Sequence, residues 1–390
     1  MQQVDWIDGL ALRFTYGYNG NVDKSTTFKP LVNISSSPNT VTGELTGSMS
    51  SYGNPTLRWE RTGTWDIGVD FNFFKGKLYG KFDVYNKHSE DLIADVTLSA
   101  VQGTTSMRLN NGEILNRGFE MEVGSTLRIS PNVTWNGVLT LSYNKNRIKS
   151  LEVKPTNSYD LVYIGGSTAW MEGYDMNTLW TYKYGGLQNV GTASSPDWQP
   201  IILHKSGLYE TFATWPTGDP MDCSYAMGTT VAPWNMSFST SFRVYDFDIS
   251  MIVTGKFGHK FLRESFNYPS VSGRAVPNDK YSEVKNCDPN EMIPLPQNEI
   301  ETRYYFWDRF YPYMSYLTES ASHIRLQEFS VGYNLPKKVV AKIGMKSLQV
   351  YAQCNNPFNI YFNGYGEDPE FAKGTIRLQA SYTFGIKCKF

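Results

Sequence analysis

The sequence predicts an all-β fold, a transmembrane antiparallel β-barrel with long loops on one side. Three observations carry that expectation. Ten segments alternate apolar and polar side chains with period two, as a strand with two different faces must. The connections between them alternate in length. Aromatic residues gather near segment ends, at Tyr18, Trp65, Phe73, Phe74, Tyr85, Trp135 and Tyr143, where a membrane-interface girdle would sit.

The first segment sets Leu12, Phe14, Tyr16 and Tyr18 against Arg13, Thr15, Gly17 and Asn19. The second sets Trp65, Ile67, Val69, Phe71 and Phe73 against Asp66, Gly68, Asp70 and Asn72. LYGKFDVY follows from Leu78. Then Phe119, Met121, Val123, Leu127 and Ile129 oppose Glu120, Glu122, Thr126 and Arg128. Trp135, Leu139, Leu141 and Tyr143 share the face of the fifth segment. Met236, Phe238, Phe242 and Val244 alternate with serines and Arg243 in the sixth. FDISMIVTGKF, HIRLQEFSVGYNL and LQVYAQC continue the series. The phase slips by one between Leu326 and Phe329, which predicts a β-bulge. The last segment runs from Thr375 to Phe390, and its alternation never breaks.

Short connections fall at 74–77, 130–132, 245–246 and 336–346. The last of these, PKKVVAKIGMK, reads as a plain connector. Long ones cover about 21–61, 96–115, 149–232, 259–322 and 357–373, rich in Gly, Pro, Asn, Ser and aromatics. Short turns on one side and long loops on the other is the outer-membrane barrel pattern. An even strand count leaves both chain ends on the short-turn side. The competing expectation, a soluble β-sandwich, also alternates. It does not account for the strand lengths, the asymmetry of the connections or the terminal aromatics.

Composition agrees. The 390 residues carry 36 Lys and Arg against 37 Asp and Glu, so no basic stripe marks a nucleic-acid binder. Apolar runs such as Met251–Val253 are far shorter than a membrane helix, which needs about 20 residues. The mean hydropathy of −0.39 fits strands that turn only one face to lipid. MQQVDWIDGLALRF lacks a basic segment followed by an apolar one, so it does not read as a signal peptide. The 4 Cys and 4 His show no metal-ligand spacing, and no cofactor is expected.

Several phrases carry a family resemblance. NPTLRWERTGTWDIGVDFNFF, KLYGKFDVYNKHSEDLI and LNRGFEMEV resemble the TonB-dependent outer-membrane transporters of the SusC/RagA type. So do YAMGTTVAPWNMSFSTSFRVYDFDISMIVTGKFGHK, ASHIRLQEFSVGYNLPKKVVAKIGMKSLQVYAQCNNPFNIY and GYGEDPEF. The likeness runs along nearly the whole chain, from LRFTYGYNGN to Phe390. It implies a plugged barrel of about 22 strands, of which residues 1–390 supply the C-terminal ten, roughly half. The plug, the TonB-contacting segment and the rest of the barrel would then lie in the same or another polypeptide. The resemblance further implies active import of oligosaccharides or peptides, a SusD-like lipoprotein lid, and a Gram-negative outer membrane with long loops outside. Phe390 would serve as the barrel-assembly signal.

Candidate site residues follow. Asp66, Asp70, Asp83, Glu120 and Glu122 are expected on the lumen wall. Glu120 and Glu122 also share a face as a glycosidase carboxylate pair would, but nothing near them suggests an oriented acid. Trp170, Trp180, Trp198, Trp215, Trp307 and Tyr311 in the two longest loops are candidate substrate contacts, with packing inside the loops as the alternative. Glu367, Asp368 and Glu370 of GYGEDPEF suit either a cation or a Pro-containing turn. Cys354 and Cys388 are expected too far apart to bond, and a Cys223–Cys287 disulfide is left open. No catalytic set emerges, so the chain reads as a transporter and not an enzyme. A self-standing small porin and a soluble glycan-binding β-domain stand as alternatives.

Overall fold

The computed structural model describes residues 5–22, 29–97, 101, 106–189, 192–194, 198–211, 218–263, 311–342, 344–371 and 376–390. Ten strands form one sheet in chain order. They are β1 (Ile7–Asn21), β2 (Glu60–Phe73), β3 (Leu78–Thr97), β4 (Ser106–Ser130) and β5 (Val133–Leu151). After a long connection come β6 (Trp234–Val244), β7 (Phe247–Phe257), β8 (His323–Asn334), β9 (Ser347–Tyr361) and β10 (Ser381–Lys389). Every neighbouring pair is antiparallel, and β1 and β10 are the two edges. β4 has 25 residues, more than twice the ~9–11 that cross a bilayer, so it extends well past any membrane.

The register sorts side chains as the alternation requires. Tyr16 lies opposite Trp65, and Leu139 lies between Val123 and Phe238. Apolar residues of one face are bare: Leu12 is 76% exposed, Phe14 69% and Phe384 79%. In water such a face would be a severe liability, whereas in lipid it is the solvated one. The Trp135 indole lies over Gly137, where a Cβ would come within 2.5 Å of the ring. Its Nε1 donates to Thr240 Oγ1 at 2.7 Å, so the polar edge of the ring is satisfied without water. Tyr85 departs from the girdle expectation. It sits on the polar face, over Gly118, with its hydroxyl donating to Asn144 Oδ1 at 3.3 Å.

The turn after β2 takes Phe74, Lys75 and Gly76 through left-handed φ values of 57°, 60° and 78°, which reverses the chain within the sheet's twist. The bulge expected near Leu326 is present, since the β8–β9 register shifts between Leu326 and Glu328.

Several boundaries differ from expectation. The connection expected over 96–115 is largely strand, because β4 begins at Ser106 and β3 reaches Thr97. Register shifts on either side of Leu92 rephase that stretch, so alternation alone does not reveal it. Asn110 Nδ2 donates to Asp91 O at 2.6 Å and Asn111 Nδ2 to Val153 O at 3.1 Å, which ties the polar residues into place. β9 continues to Tyr361, into the expected 357–373 loop. The last strand is shorter than its alternation, with pairing only from Ser381. The β9 ladder to β10 ends at Asn355, and Asn356 turns to φ 50°. Residues 337–342 of the PKKVVAKIGMK connector form a short helix that buries Val340. Cys354 pairs with Tyr382 and Cys388 with Leu348, so these thiols are far apart along the ladder.

Candidate functional site

The polar face of the sheet carries the candidate acids. Arg13 on β1 reaches across two strands: its Nε donates to Asp70 Oδ2 at 2.6 Å and its Nη2 to Asp83 Oδ1 at 2.7 Å. Lys81 Nζ lies 3.9 Å from Glu122 Oε2. Glu120 is exposed opposite Asp83, and Asp66 lies between Thr15 and Tyr85. Toward the short turns of β6–β10 this face lines a cavity of about 500 Å³ whose walls include Arg243, Asp248, Glu328, Gln349, Tyr351 and Lys387. Asp248 there accepts from Arg243 Nε at 2.7 Å and Asn334 Nδ2 at 2.7 Å. The wall offers dense hydrogen-bonding groups.

Above the sheet, the two longest connections fold into one assembly. The backbone of Tyr182 bonds that of 313–315: Tyr182 N–H donates to Tyr313 O at 2.9 Å, and Ser315 N–H to Tyr182 O at 2.7 Å. Around that bridge Tyr182, Ile202, Cys223 and Met314 are wholly buried. Burial pushes the Tyr182 phenol well above its ordinary pKa, and its hydroxyl donates to Ser158 Oγ at 3.2 Å. Cys223 is a buried free thiol, and Cys287 lies outside the described residues.

This packing bears on two substrate-contact candidates. Trp170 joins Ala94, Ile114, Ile148 and Leu151 in a core between the loop and the tops of β3–β5. Trp180 is 3% exposed, and its Nε1 donates to Ala169 O at 3.0 Å. Both rings hold the loops together and have little surface left for a ligand. The side chains of Trp198 and Tyr311, and the whole of Trp215 and Trp307, lie outside the described residues. The two loops also bring together a tyrosine group. Tyr159 and Tyr163 stack at 4.9 Å, and Tyr163 meets Tyr313 edge-on at 5.5 Å. Their signal, SYDLVYI with two tyrosines four apart, is visible in sequence, but Tyr313 comes from the other loop.

The acids of GYGEDPEF meet cations of the strand tops. Arg325 is 2% exposed and donates to Asp368 Oδ1 at 2.5 Å and Glu370 Oε2 at 3.0 Å. Lys256 Nζ donates to Glu370 Oε1 at 2.5 Å, and Arg263 Nη2 to Glu367 Oε1 at 2.9 Å. Tyr361 donates to Asp368 Oδ2 at 2.8 Å. Burial works to raise the Asp368 carboxyl, but the bonds from Arg325, the Glu370 N–H and Tyr361 outweigh it and hold it below the usual range. His259 and His323 rings lie 6.0 Å apart beside this cluster. Burial, then the charges of His323 and Lys256, push His259 down to about 4. The three acids are thus neutralised by side chains, which favours the turn reading over a cation site.

Comparison with known proteins settles the family. A family model described as TonB dependent receptor-like, beta-barrel, matches residues 3–356. The chain belongs to this TonB-dependent receptor barrel family. It is 27% identical over 382 residues to TonB-dependent receptor P26 of Formosa agariphila, covering 91% of this chain and 36% of the relative. It is 25% identical over 398 residues to TonB-dependent receptor SusC of Bacteroides thetaiotaomicron, covering 96% of this chain and 36% of that protein. The chain therefore spans little more than a third of the length of these curated relatives. A solved structure of the RagAB peptide transporter superposes with a TM-score of 0.74 at 19% identity, over 100% of this chain and 42% of that one. The ten strands are accordingly part of a transmembrane antiparallel β-barrel, with the apolar face toward lipid.

Proposed function

We propose that this chain forms the C-terminal wall and surface loops of a TonB-dependent outer-membrane importer that takes up oligosaccharides or peptides. One observation carries the reading. The sheet presents bare apolar side chains on one face and hydrogen-bonding groups on the other across ten strands, with both edges open. Open edges inside a membrane leave backbone groups unpaired, so further strands must close the barrel. Those strands, a plug and the TonB-contacting segment would come from the same or another polypeptide. The long loops face outward from the cell, and the short turns and C-terminus face the periplasm. Asp66, Asp70, Asp83, Glu120 and Glu122 line the lumen, and Phe390, 74% exposed beyond β10, serves assembly. A SusD-like lipoprotein covers the loop assembly, and Trp198, Trp215, Trp307 and Tyr311 remain the substrate-contact candidates. The work done on the substrate is transport without bond cleavage.

Mass spectrometry of the detergent-extracted complex, native and denatured, tests this reading. The expected result is that this sequence travels within, or together with, a plug-bearing polypeptide and a lipoprotein. Extraction as a closed, heat-modifiable barrel of this chain's own mass would make it a small porin.

A further inference from the structure

Above the aromatic belt, the lipid-directed face changes character on β4 and β5. Phe119, Tyr143 and Trp234 form that belt, with ring centroids 4.5 Å apart for Tyr143 and Trp234 and 6.0 Å for Phe119 and Tyr143. Moving away from the short turns, the next outward position on β4 is Arg117, and those on β5 are Lys145, Arg147 and Lys149. All four are exposed, while Asn146 and Ile148 between them point inward and are buried. Arg117 stands directly opposite Lys145 in the ladder, and Arg147 is the next residue on the same face.

Like charges placed opposite one another destabilise a strand pair. Neutralisation from within the chain is incomplete. Lys149 pairs with Glu113 at 3.0 Å, and that acid also faces His88 at 3.2 Å. Arg117 meets, among the described residues, only the neutral Asn86, at 3.0 Å. Among the described residues, no carboxylate lies within ion-pair distance of Lys145 or Arg147. Followed across the ladders, Ile324 of β8 and Ile360 of β9 lie level with Leu141, on the short-turn side of the belt. The basic band thus continues upward from a face that is apolar below the belt.

We propose that Arg117, Lys145, Arg147 and Lys149 bind phosphate groups of the lipid headgroups that surround the barrel. An anion between Arg117 and Lys145 relieves their repulsion, and a guanidinium matches phosphate oxygens two at a time. Long side chains rising from an aromatic girdle reach the headgroup layer without leaving the apolar surface. The proposal rests on the outward, long-loop orientation given above, and it adds a lipid selectivity that import does not require.

The test uses the detergent-extracted complex in mixed micelles of phosphatidylglycerol or phosphatidylcholine, with retained lipids counted by native mass spectrometry. The parent protein is expected to retain phosphatidylglycerol preferentially and to lose it as ionic strength rises. Retention should fall about fivefold for each charge removed in Lys145→Gln and Arg147→Gln. Lys87→Gln, which alters the inward face of β3, should leave retention unchanged. Equal retention of both lipids, or an unaltered Lys145→Gln/Arg147→Gln double variant, overturns the proposal. So does displacement of the lipid by inorganic phosphate alone, which would make the band a free-phosphate site. A protein that stays monodisperse without detergent would instead sink the membrane reading beneath it.

Discussion

The wall and the loop assembly follow opposite rules within one chain. On β1 and β10, Phe14 and Phe384 are among the most exposed residues, at 69% and 79%. In the loops, Tyr182 and Ile202 are at 0%. The strands hold together by backbone ladders and treat their apolar side chains as the surface. The loops hold together as a small water-soluble domain does, around an apolar centre. The same residue type therefore has a different meaning in each region, and a substitution reads out the region's solvent. Between the two lies a third arrangement, the Arg325 cluster, where charges are buried at the strand tops.

The largest effect is expected from that boundary. Arg325→Met leaves the buried Asp368 without its cation and Glu370 with Lys256 alone, a change that typically costs about 3–5 kcal/mol. Hydrogen exchange should rise in 361–371 while the β3–β5 ladders stay protected. Trp180→Ala should cost about 3–5 kcal/mol within the loop assembly, as for a large buried ring, and loosen 178–182 together with 313–317. If only one of the two loops loosens, they do not share a core. Leu139→Arg places a charge at mid-wall, between the belts marked by Trp135 and Tyr143. Folding into vesicles should weaken by about 2–4 kcal/mol, whereas the same protein's loops should keep their exchange pattern.

Acidification gives a graded version of the boundary test. The folded pKa of His259 lies below its ordinary value, so the unfolded chain binds its proton first. Stability near 259–263 and 361–371 is therefore full above pH 6.5 and falls as pH drops toward about 4. His259→Gln should flatten that slope in a pH series of exchange rates. Below that window the depressed Asp368 and Glu370 carboxyls take over, because their contribution is lost only as they protonate. The smallest effect is expected for Asp70→Asn. Its bond to Arg13 is exposed on both sides, and melting of the detergent-solubilised barrel should not change measurably.

Much of the wall was legible because lipid and lumen impose a strict period on each strand. Phe71 against Asp70 or Phe238 against Ser237 needs no tertiary information. The phase slip at Gln327 gave the bulge for the same reason. The tops of β3 and β4 were not legible, because Asn110 and Asn111 satisfy partners in other segments and the register shifts hide the alternation. The loop assembly was the least legible. Trp170 and Trp180 look no different in sequence from Trp198, and their burial depends on residues near 313 that pattern reading cannot bring to them. Arg325 carried a readable signal, a lone cation in a strand followed by the acids of GYGEDPEF. Pairing them required the return of the chain after β9.

The bridge between Tyr182 and 313–315 has a consequence for how such receptors diversify. Two surface segments that share a backbone bond and a common interior form one heritable unit. A graft of either segment from a relative would meet a mismatched half-core, whereas a graft of both together would bring its own. Changes of length are then cheapest at tips such as Gly207, whose φ is 86° and around which a Cβ would meet nothing within 4 Å. A tip of that kind can lengthen without disturbing the shared interior.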